Sequence, residues 1–368
     1  MSAKRKYQLS RILPFGFIWL LLGGLFLSIE EMVIGDNSSL GQSAIRLEPD
    51  VVVYALVGIF VIGSIFGAIH VLWLDKLFKE KSFTRKLFFS FAVYLLFMEF
   101  MLLLNYPIVA SMEQDTSVLD GSVWNRLSMF FFSITHLSAL LQMSVSILLS
   151  LFYYEISSTV GPNVLFNFFT GKYHRPVNEE RIFMFVDMKD STTIAEKLGN
   201  EVYFQFLQAY YDSFSGAIID HQGEVYQYVG DEIVVSWRKD KDLVRNNCIE
   251  CFFAMKSAMR IKAENFQNRF GFTPDFKAAV HYGPITTGEI GALKKDIFFT
   301  GDVLNTTSRI LGKASVYGED LMVSKDLTEL MKLDERYDLI PLGRQDLKGK
   351  SESVDVLAIR KKSIKTAR

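Results

Sequence analysis

RIFMFVDM (residues 181–188) and GEVYQYVGDEIVVSW (residues 223–237) decide how the second half of this chain folds. The first is a short apolar run ending in an acid. It predicts a buried strand that delivers Asp187 at its C-terminal tip. The second holds two β-rich runs separated by Gly230-Asp231, the signature of a hairpin, so Asp231 falls at a hairpin tip. With that hairpin beside the first strand, the two acids meet at one sheet edge. Two convergent carboxylates at the end of a sheet suit a hard divalent cation such as Mg2+, with phosphate oxygens completing its shell.

Working outward, a helix is expected after Asp187, with Ser191 or Thr192 as its N-cap and Glu196 inside the first turns. Met188, Lys189 and Asp190 form the tight turn before it, and such a turn at a helix start can hold phosphate oxygens. A second helix is expected over about 201–220 and a third over about 241–268. PDFKAAVHYG (274–283) and PITTGEIG (284–291) read as two strands joined at Gly283. FFTGDVLNTTSRILGKA (298–314) opens with a glycine turn and enters a helix on which Asn305 and Arg309 share one face. An amide beside a guanidinium suits a ribose and a phosphate, although alone it is ordinary helix surface. The alternation βααββαββαβ predicts an α+β sandwich, with helices on one face of a mainly antiparallel sheet.

The first half has a different composition. Of the 368 residues, 49% are hydrophobic and 32 are phenylalanine, and nearly all the long apolar runs precede residue 155. Four are long enough to cross a bilayer: Leu13–Ile29, Val51–Leu74, Leu87–Leu104 and Met129–Tyr153. LSIEEMVIG after the first is a poor cleavage site, so this span is read as an anchor and not a removed signal. Lys4, Arg5, Lys6 and Arg11 precede the first span, and Lys76, Lys79, Lys81, Arg85 and Lys86 follow the second. Glu30, Glu31, Asp36, Glu48 and Asp50 face a single Arg46 in the first loop, while Glu113, Asp115 and Asp120 lie in the third. Basic loops stay inside, so both termini are expected in the cytoplasm and the protein in the inner (plasma) membrane. Glu99 and His136 are ionisable residues within the spans, at similar depth on antiparallel helices, and are candidates for a membrane-sensing pair.

Residues 1–154 are thus a four-helix transmembrane module and 155–180 a coupling segment broken at Gly161-Pro162. A soluble domain covers 181–361, and 362–368 form a basic tail. Cys248 and Cys251 lie on one helical face and read as packing residues, since no further metal ligands lie near. The formal net charge of −1 and the lack of a basic-aromatic patch argue against nucleic acid as a partner.

Four ordered motifs in the soluble half resemble the class III adenylyl/guanylyl cyclases. FVDMKDST (185–192) is similar to the family's first metal-aspartate motif and YQYVGDEIV (226–234) to its second. GDVLNTTSR (301–309) resembles the asparagine-to-arginine helix, and LGRQDLKGKSESVDVLAI (342–359) resembles the closing strand pair with its phosphate-binding lysine. The resemblance implies a ferredoxin-like βααββαβ catalytic domain. It implies that Asp187 and Asp231, with Met188 beside them, hold two Mg2+ or Mn2+ ions. One ion would activate the ribose 3′-hydroxyl, and the other would hold the triphosphate. Lys189, Asp190, Ser191 and Thr192 would lie against phosphate. Asn305 would orient the ribose, Arg309 would stabilise charge on the α-phosphate, and Lys348 would bind the terminal phosphates. In the family these groups come from two catalytic domains, which implies a homodimer with shared sites. The reaction is in-line attack of the 3′-oxygen on the α-phosphorus with loss of pyrophosphate.

Two positions depart from the family pattern. The base-reading lysine position is Gln227, and its partner position is Phe298, with Thr300 near enough to substitute. Nothing resembles the guanine-reading pair, so ATP is the expected substrate and cyclic AMP the expected product. A guanylate or dual-specificity cyclase, and a degenerate nucleotide-binding receptor, remain the alternatives. A diguanylate cyclase would need a second glycine where Val229 stands. With short outer loops, any signal is expected within the bilayer or from a membrane regulator.

Overall fold

The computed structural model describes residues 2–34, 49–78, 81–239, 246–331, 333, 335–346 and 353–362. The chain divides into two compact units, Arg5–Phe166 and Asn167–Arg368, the latter grouped with Met1–Lys4.

The first unit is helical: α1 (Ala3–Ile34), α2 (Pro49–Ile69, continued by a π-helical turn at His70–Leu74), α3 (Phe83–Gln114), α4 (Gly121–Phe131) and α5 (Ile134–Val160). Four stretches, Ala3–Ile29, Pro49–Leu77, Phe83–Gln114 and Ile134–Val160, are long and apolar enough to cross a membrane. At 1.5 Å per residue even the shortest extends about 40 Å, beyond the roughly 30 Å of a hydrocarbon core. Leu21, Leu96 and Leu137 point outward, as a lipid-facing surface requires. Gly63 and Gly67 let α1 and α2 touch closely: a Cβ on Gly67 would stand 2.9 Å from the Ile12 carbonyl oxygen.

The helix ends differ from those read off hydropathy. The third helix continues past Leu104 to Gln114, and together with α4 it fills most of the expected loop. An ion pair of Glu113 with Arg126 at 2.8 Å joins these two extensions, and Asp120 caps α4 by accepting from the Ser122 amide at 2.8 Å. The last span starts at Ile134 because Ser133 interrupts the apolar run and caps α5, accepting from the His136 amide at 3.2 Å.

A short helix α6 (Pro162–Phe169) follows. In the second unit come β1 (Val177–Met188), α7 (Ser191–Leu198), α8 (Asn200–Asp220), β2 (Glu224–Val229) and β3 (Glu232–Arg238). Next are α9 (Asn247–Phe270), β4 (Phe276–Ile290), β5 (Asp296–Thr300) and α10 (Asp302–Tyr317). The unit closes with β6 (Leu321–Ser324), α11 (Lys325–Leu330), β7 (Tyr337–Gln345) and β8 (Val354–Lys361). The strands form one sheet in the order β2-β3-β1-β4-β6-β8-β7, with β5 added to β4. All described pairings are antiparallel except β4 with β6.

Both faces of this sheet are covered, not one. Ile182, Met184 and Val186 of β1 join Phe206, Tyr210, Phe252 and Met255 of α8 and α9 in one core. Phe183 and Phe185 face the other way, onto Val303, Ile310 and Leu311 of α10. The unbroken apolar run of β1 is the sequence trace of this double burial.

β4 is also one continuous strand, with no break at Gly283. Gly283 pairs with Arg181 across the ladder, and a Cβ there would stand 3.2 Å from the Val303 side chain. Its glycine therefore makes room for α10 and no turn forms. Pro284 is tolerated because it lies between the β6 ladder (278–280) and the β5 ladder (286–290), where no neighbouring strand needs its missing N–H.

Candidate active site

The end of β1 places Asp187 opposite Glu232 of β3 and Lys277 of β4. The β2–β3 turn is Gly230-Asp231, and Gly230 has φ of 61°, where a side chain would be strained. Tyr211 of α8 pins this turn: its hydroxyl reaches the Gly230 carbonyl at 2.7 Å and the Glu232 carbonyl at 3.3 Å. The Asp187 and Asp231 carboxyls are near neighbours. Burial pushes Asp187 above the usual carboxylate range; Lys277, 3.1 Å away, opposes this, and the charge on Asp231 adds to it. Glu232 is pushed up to about 7 by burial and by the same two aspartates. The tip thus concentrates more negative charge than its one lysine neutralises.

That arrangement fits a hard divalent cation. Among the described residues no group of three or more His, Cys, Asp or Glu side chains converges on a metal position. A carboxylate pair is nonetheless what Mg2+ takes when substrate phosphates and water complete its shell. Met188 is 2% exposed with its side chain in the core, so its carbonyl is the group it can offer.

The turn after Asp187 departs from expectation at two points. Asp190, not Ser191 or Thr192, precedes α7 as its N-cap, in a left-handed conformation (φ 56°) that aspartate tolerates, and no side chain caps the helix. Lys189 is engaged: its amide donates to the Asp275 carbonyl at 2.9 Å, and its ammonium sits between Asp275 and Asp320. Ser191 lies beside Tyr203. Asp190 and Thr192 are exposed.

Asn305 and Arg309 project from α10, Asn305 exposed and Arg309 half-buried. The N-terminal end of α10 packs at Gly283 and Pro284, level with Arg181 on β1. Six residues of strand separate Arg181 from Asp187, about 20 Å. From the other end, Ser315 accepts from Lys277 at 2.7 Å, and Lys277 touches Asp187. Ten residues of helix separate Ser315 from Asn305, about 15 Å. Within one chain the metal-type carboxylates and Asn305 therefore stand far apart. Gln227 is exposed on β2, and Phe298 (46% exposed) shares a face of β5 with Thr300. Lys348 lies outside the described residues.

In the helical unit, His136 Nε2 stands 3.2 Å from Glu99 Oε2, and its ring stacks on Phe131 with centroids 4.6 Å apart. The sequence reading passed over His70, although it lies inside the second apolar run. His70 is 1% exposed and meets the Tyr94 hydroxyl at 2.8 Å. Close by in the chain, Lys86 bridges Asp75 at 2.7 Å and Glu155 at 3.0 Å. Lys277, Tyr211 and Glu232 were likewise missed. Only strand register brings them to the site.

Residues 175–360 match the adenylate and guanylate cyclase catalytic domain family, and the chain belongs to it. It is 30% identical over 209 residues to adenylate cyclase 2 of Rhizobium meliloti (strain 1021), covering 57% of this chain and 58% of that protein. With adenylate cyclase 1 of the same organism it shares 29% over 185 residues, 49% of this chain and 27% of that one. The chain thus spans well short of the full length of these relatives. A solved bacterial light-regulated adenylyl cyclase has the same fold, with a TM-score of 0.51 at 19% identity over 62% of this chain and 65% of that chain.

Proposed function

We propose that the chain is a membrane-bound adenylate cyclase that converts ATP to 3′,5′-cyclic AMP and pyrophosphate at sites shared across a homodimer. The separation of Asp187 from Asn305 within one chain carries this reading. A two-fold pair laid head to tail brings the carboxylate tip of one protomer against α10 of the other, twice over. The relatives named adenylate cyclases favour ATP. Gln227 can both donate and accept, so GTP is the competing substrate.

Asp187 and Asp231, with the Met188 carbonyl, would hold Mg2+ or Mn2+, which supplies activation of the 3′-hydroxyl and neutralises triphosphate charge. Asn305 of the partner subunit orients the ribose. The partner subunit's Arg309 stabilises charge as the 3′-oxygen bonds to the α-phosphorus, the bond to the β-phosphate oxygen breaks, and the hydroxyl proton leaves to solvent. Asn305→Ala and Arg309→Ala each lower kcat by about a hundred- to a thousandfold with little change in KM.

Complementation tests the shared site. Asp187→Asn and Asn305→Ala proteins are each inactive, but every mixed dimer has one intact site. Random mixing restores about a quarter of wild-type cyclic AMP formation. Recovery indistinguishable from either variant alone contradicts a shared site.

The loop charges favour an inner-membrane protein with both termini in the cytoplasm, where ATP is found. Glu99 and His136 are candidates for sensing within the bilayer. Glu99→Gln alters cyclase activity of the full chain in vesicles severalfold while leaving its level and melting unchanged. Equal activities discard the sensing role.

A further inference from the structure

Two aromatic rings tie together the strands that carry the base-facing positions. Tyr226 of β2 stacks on Phe299 of β5, with centroids 4.4 Å apart and planes 12° from parallel. The Phe299 amide donates to the Tyr226 hydroxyl at 3.2 Å. The Arg181 guanidinium lies 4.8 Å from the Phe299 centroid, and Phe183 meets the same ring edge-on at 5.9 Å. Arg181 is itself fixed: it is 2% exposed and donates to Glu179, Glu224 and Ser236. Moving Phe299 breaks a stack, a hydrogen bond and a cation contact together.

Each ring is the chain neighbour of a base-facing side chain. Gln227 follows Tyr226, and Phe298 precedes Phe299. Along β5, strand alternation sends Phe298 and Phe299 to opposite faces. With Tyr226 half-buried and Phe299 buried, Gln227 and Phe298 are turned out, and both are exposed. The β2 register slips at this point, because Val225 pairs with Val235 while Gln227 pairs with Val234. Tyr226 is the extra residue of that bulge, and a bulge re-aims the side chains beside it. Among the described residues no ladder joins β2 to β5, so the two rings provide a direct link between them.

We propose that Tyr226 and Phe299 are positioning residues for purine recognition. Their stack and hydrogen bond set the distance and angle between Gln227 and Phe298, and through them the affinity for, and choice between, adenine and guanine. The proposal rests on the cyclase reading of the site. It concerns ground-state binding of the base, whereas Asp187, Asp231, Asn305 and Arg309 act on the reacting phosphate.

Tyr226→Phe keeps the ring and removes only the hydroxyl; Tyr226→Leu removes the stack as well. The full chain is titrated with ATP and with GTP by calorimetry, and kcat and KM are measured for each with Mn2+. Loss of one hydrogen bond in Tyr226→Phe raises Kd and KM for ATP about three- to tenfold, leaves kcat within about twofold, and moves the ATP:GTP preference towards parity. Tyr226→Leu moves the same quantities further. An unchanged Kd and ATP:GTP ratio in Tyr226→Phe, with wild-type melting, overturns the proposal. So does a fall in kcat alone. If the wild-type chain binds nucleotide but forms no cyclic product, the cyclase reading fails, and the ATP:GTP binding ratio still decides the positioning role.

Discussion

On the proposed function, replacing Asp187 with asparagine is expected to lower cyclase activity about a thousandfold or more while leaving the catalytic unit folded. The carboxylate is one of two that can hold a divalent cation, and loss of such a ligand removes several kcal/mol of charge stabilisation, where about 1.4 kcal/mol is a factor of ten. The fold does not depend on it. Asp187 is held above the usual carboxylate range by burial, with the charge on Asp231 adding to the rise against Lys277. A neutral isostere relieves that repulsion. The melting temperature in metal-free buffer is therefore expected to match or exceed the wild type. With the pair as a metal site, wild-type protein is expected to be stabilised by added Mn2+, as any ligand of the native state stabilises it, and Asp187→Asn to lose that stabilisation. Asp231→Asn behaves alike. A variant that keeps both its activity and its Mn2+-dependent melting shift would remove the pair from the metal site.

Arg181→Met is expected to produce the largest loss of stability. Its guanidinium is 2% exposed and holds Glu179 at 2.9 Å, Glu224 at 2.9 Å and Ser236 at 3.0 Å. Breaking one side of a buried ionic cluster costs about 3–5 kcal/mol, and because Glu179 keeps Lys172 and Arg238 while Glu224 is partly exposed, the loss falls at the low end of that range. For a unit of this size that lowers melting by about 10 °C. Hydrogen exchange on β1 and β3 locates the loss. The deficit depends on pH. Burial works against the Glu179 charge, yet hydrogen bonds from Lys172, Arg181 and Arg238 hold its carboxyl down at about 2, against an ordinary 4.5. A depressed acid contributes its stability above the unfolded value and loses it as pH falls through the folded one. Three cations share that effect, so Arg181→Met removes only part of it. The difference between wild type and Arg181→Met is therefore widest near neutrality and narrows as pH falls from about 4.5 towards 2. A difference constant across that range contradicts the ionic account.

Local signals made some of this legible in the sequence. The four helices long and apolar enough to cross a membrane were visible in hydropathy, though not their ends, and the β2–β3 hairpin was written in Gly230-Asp231 between two β-rich runs. Other features depend on contacts that no local pattern records. Gly283-Pro284 has turn chemistry but lies inside β4, because α10 presses on the glycine and no neighbouring ladder needs the proline N–H. Arg181 reads as the start of a strand, and only the arrival of Glu224 and Ser236 from neighbouring strands explains its burial. Lys277 reaches Asp187 through cross-strand register alone, and Tyr211 reaches the hairpin tip from a helix. His70 was visible as an ionisable residue in an apolar run. The third helix outran its hydropathy because Glu113 and Arg126 pair beyond the apolar stretch.

The central claim is that this chain closes a nucleotide into its cyclic form. The purified chain in lipid, given Mn2+ with ATP and with GTP in separate reactions, tests it most directly through the identity of the products. Cyclic AMP and pyrophosphate in equal amounts from ATP, exceeding any cyclic GMP from GTP, is the expected result. Nucleotide binding with no cyclic product from either substrate would contradict it.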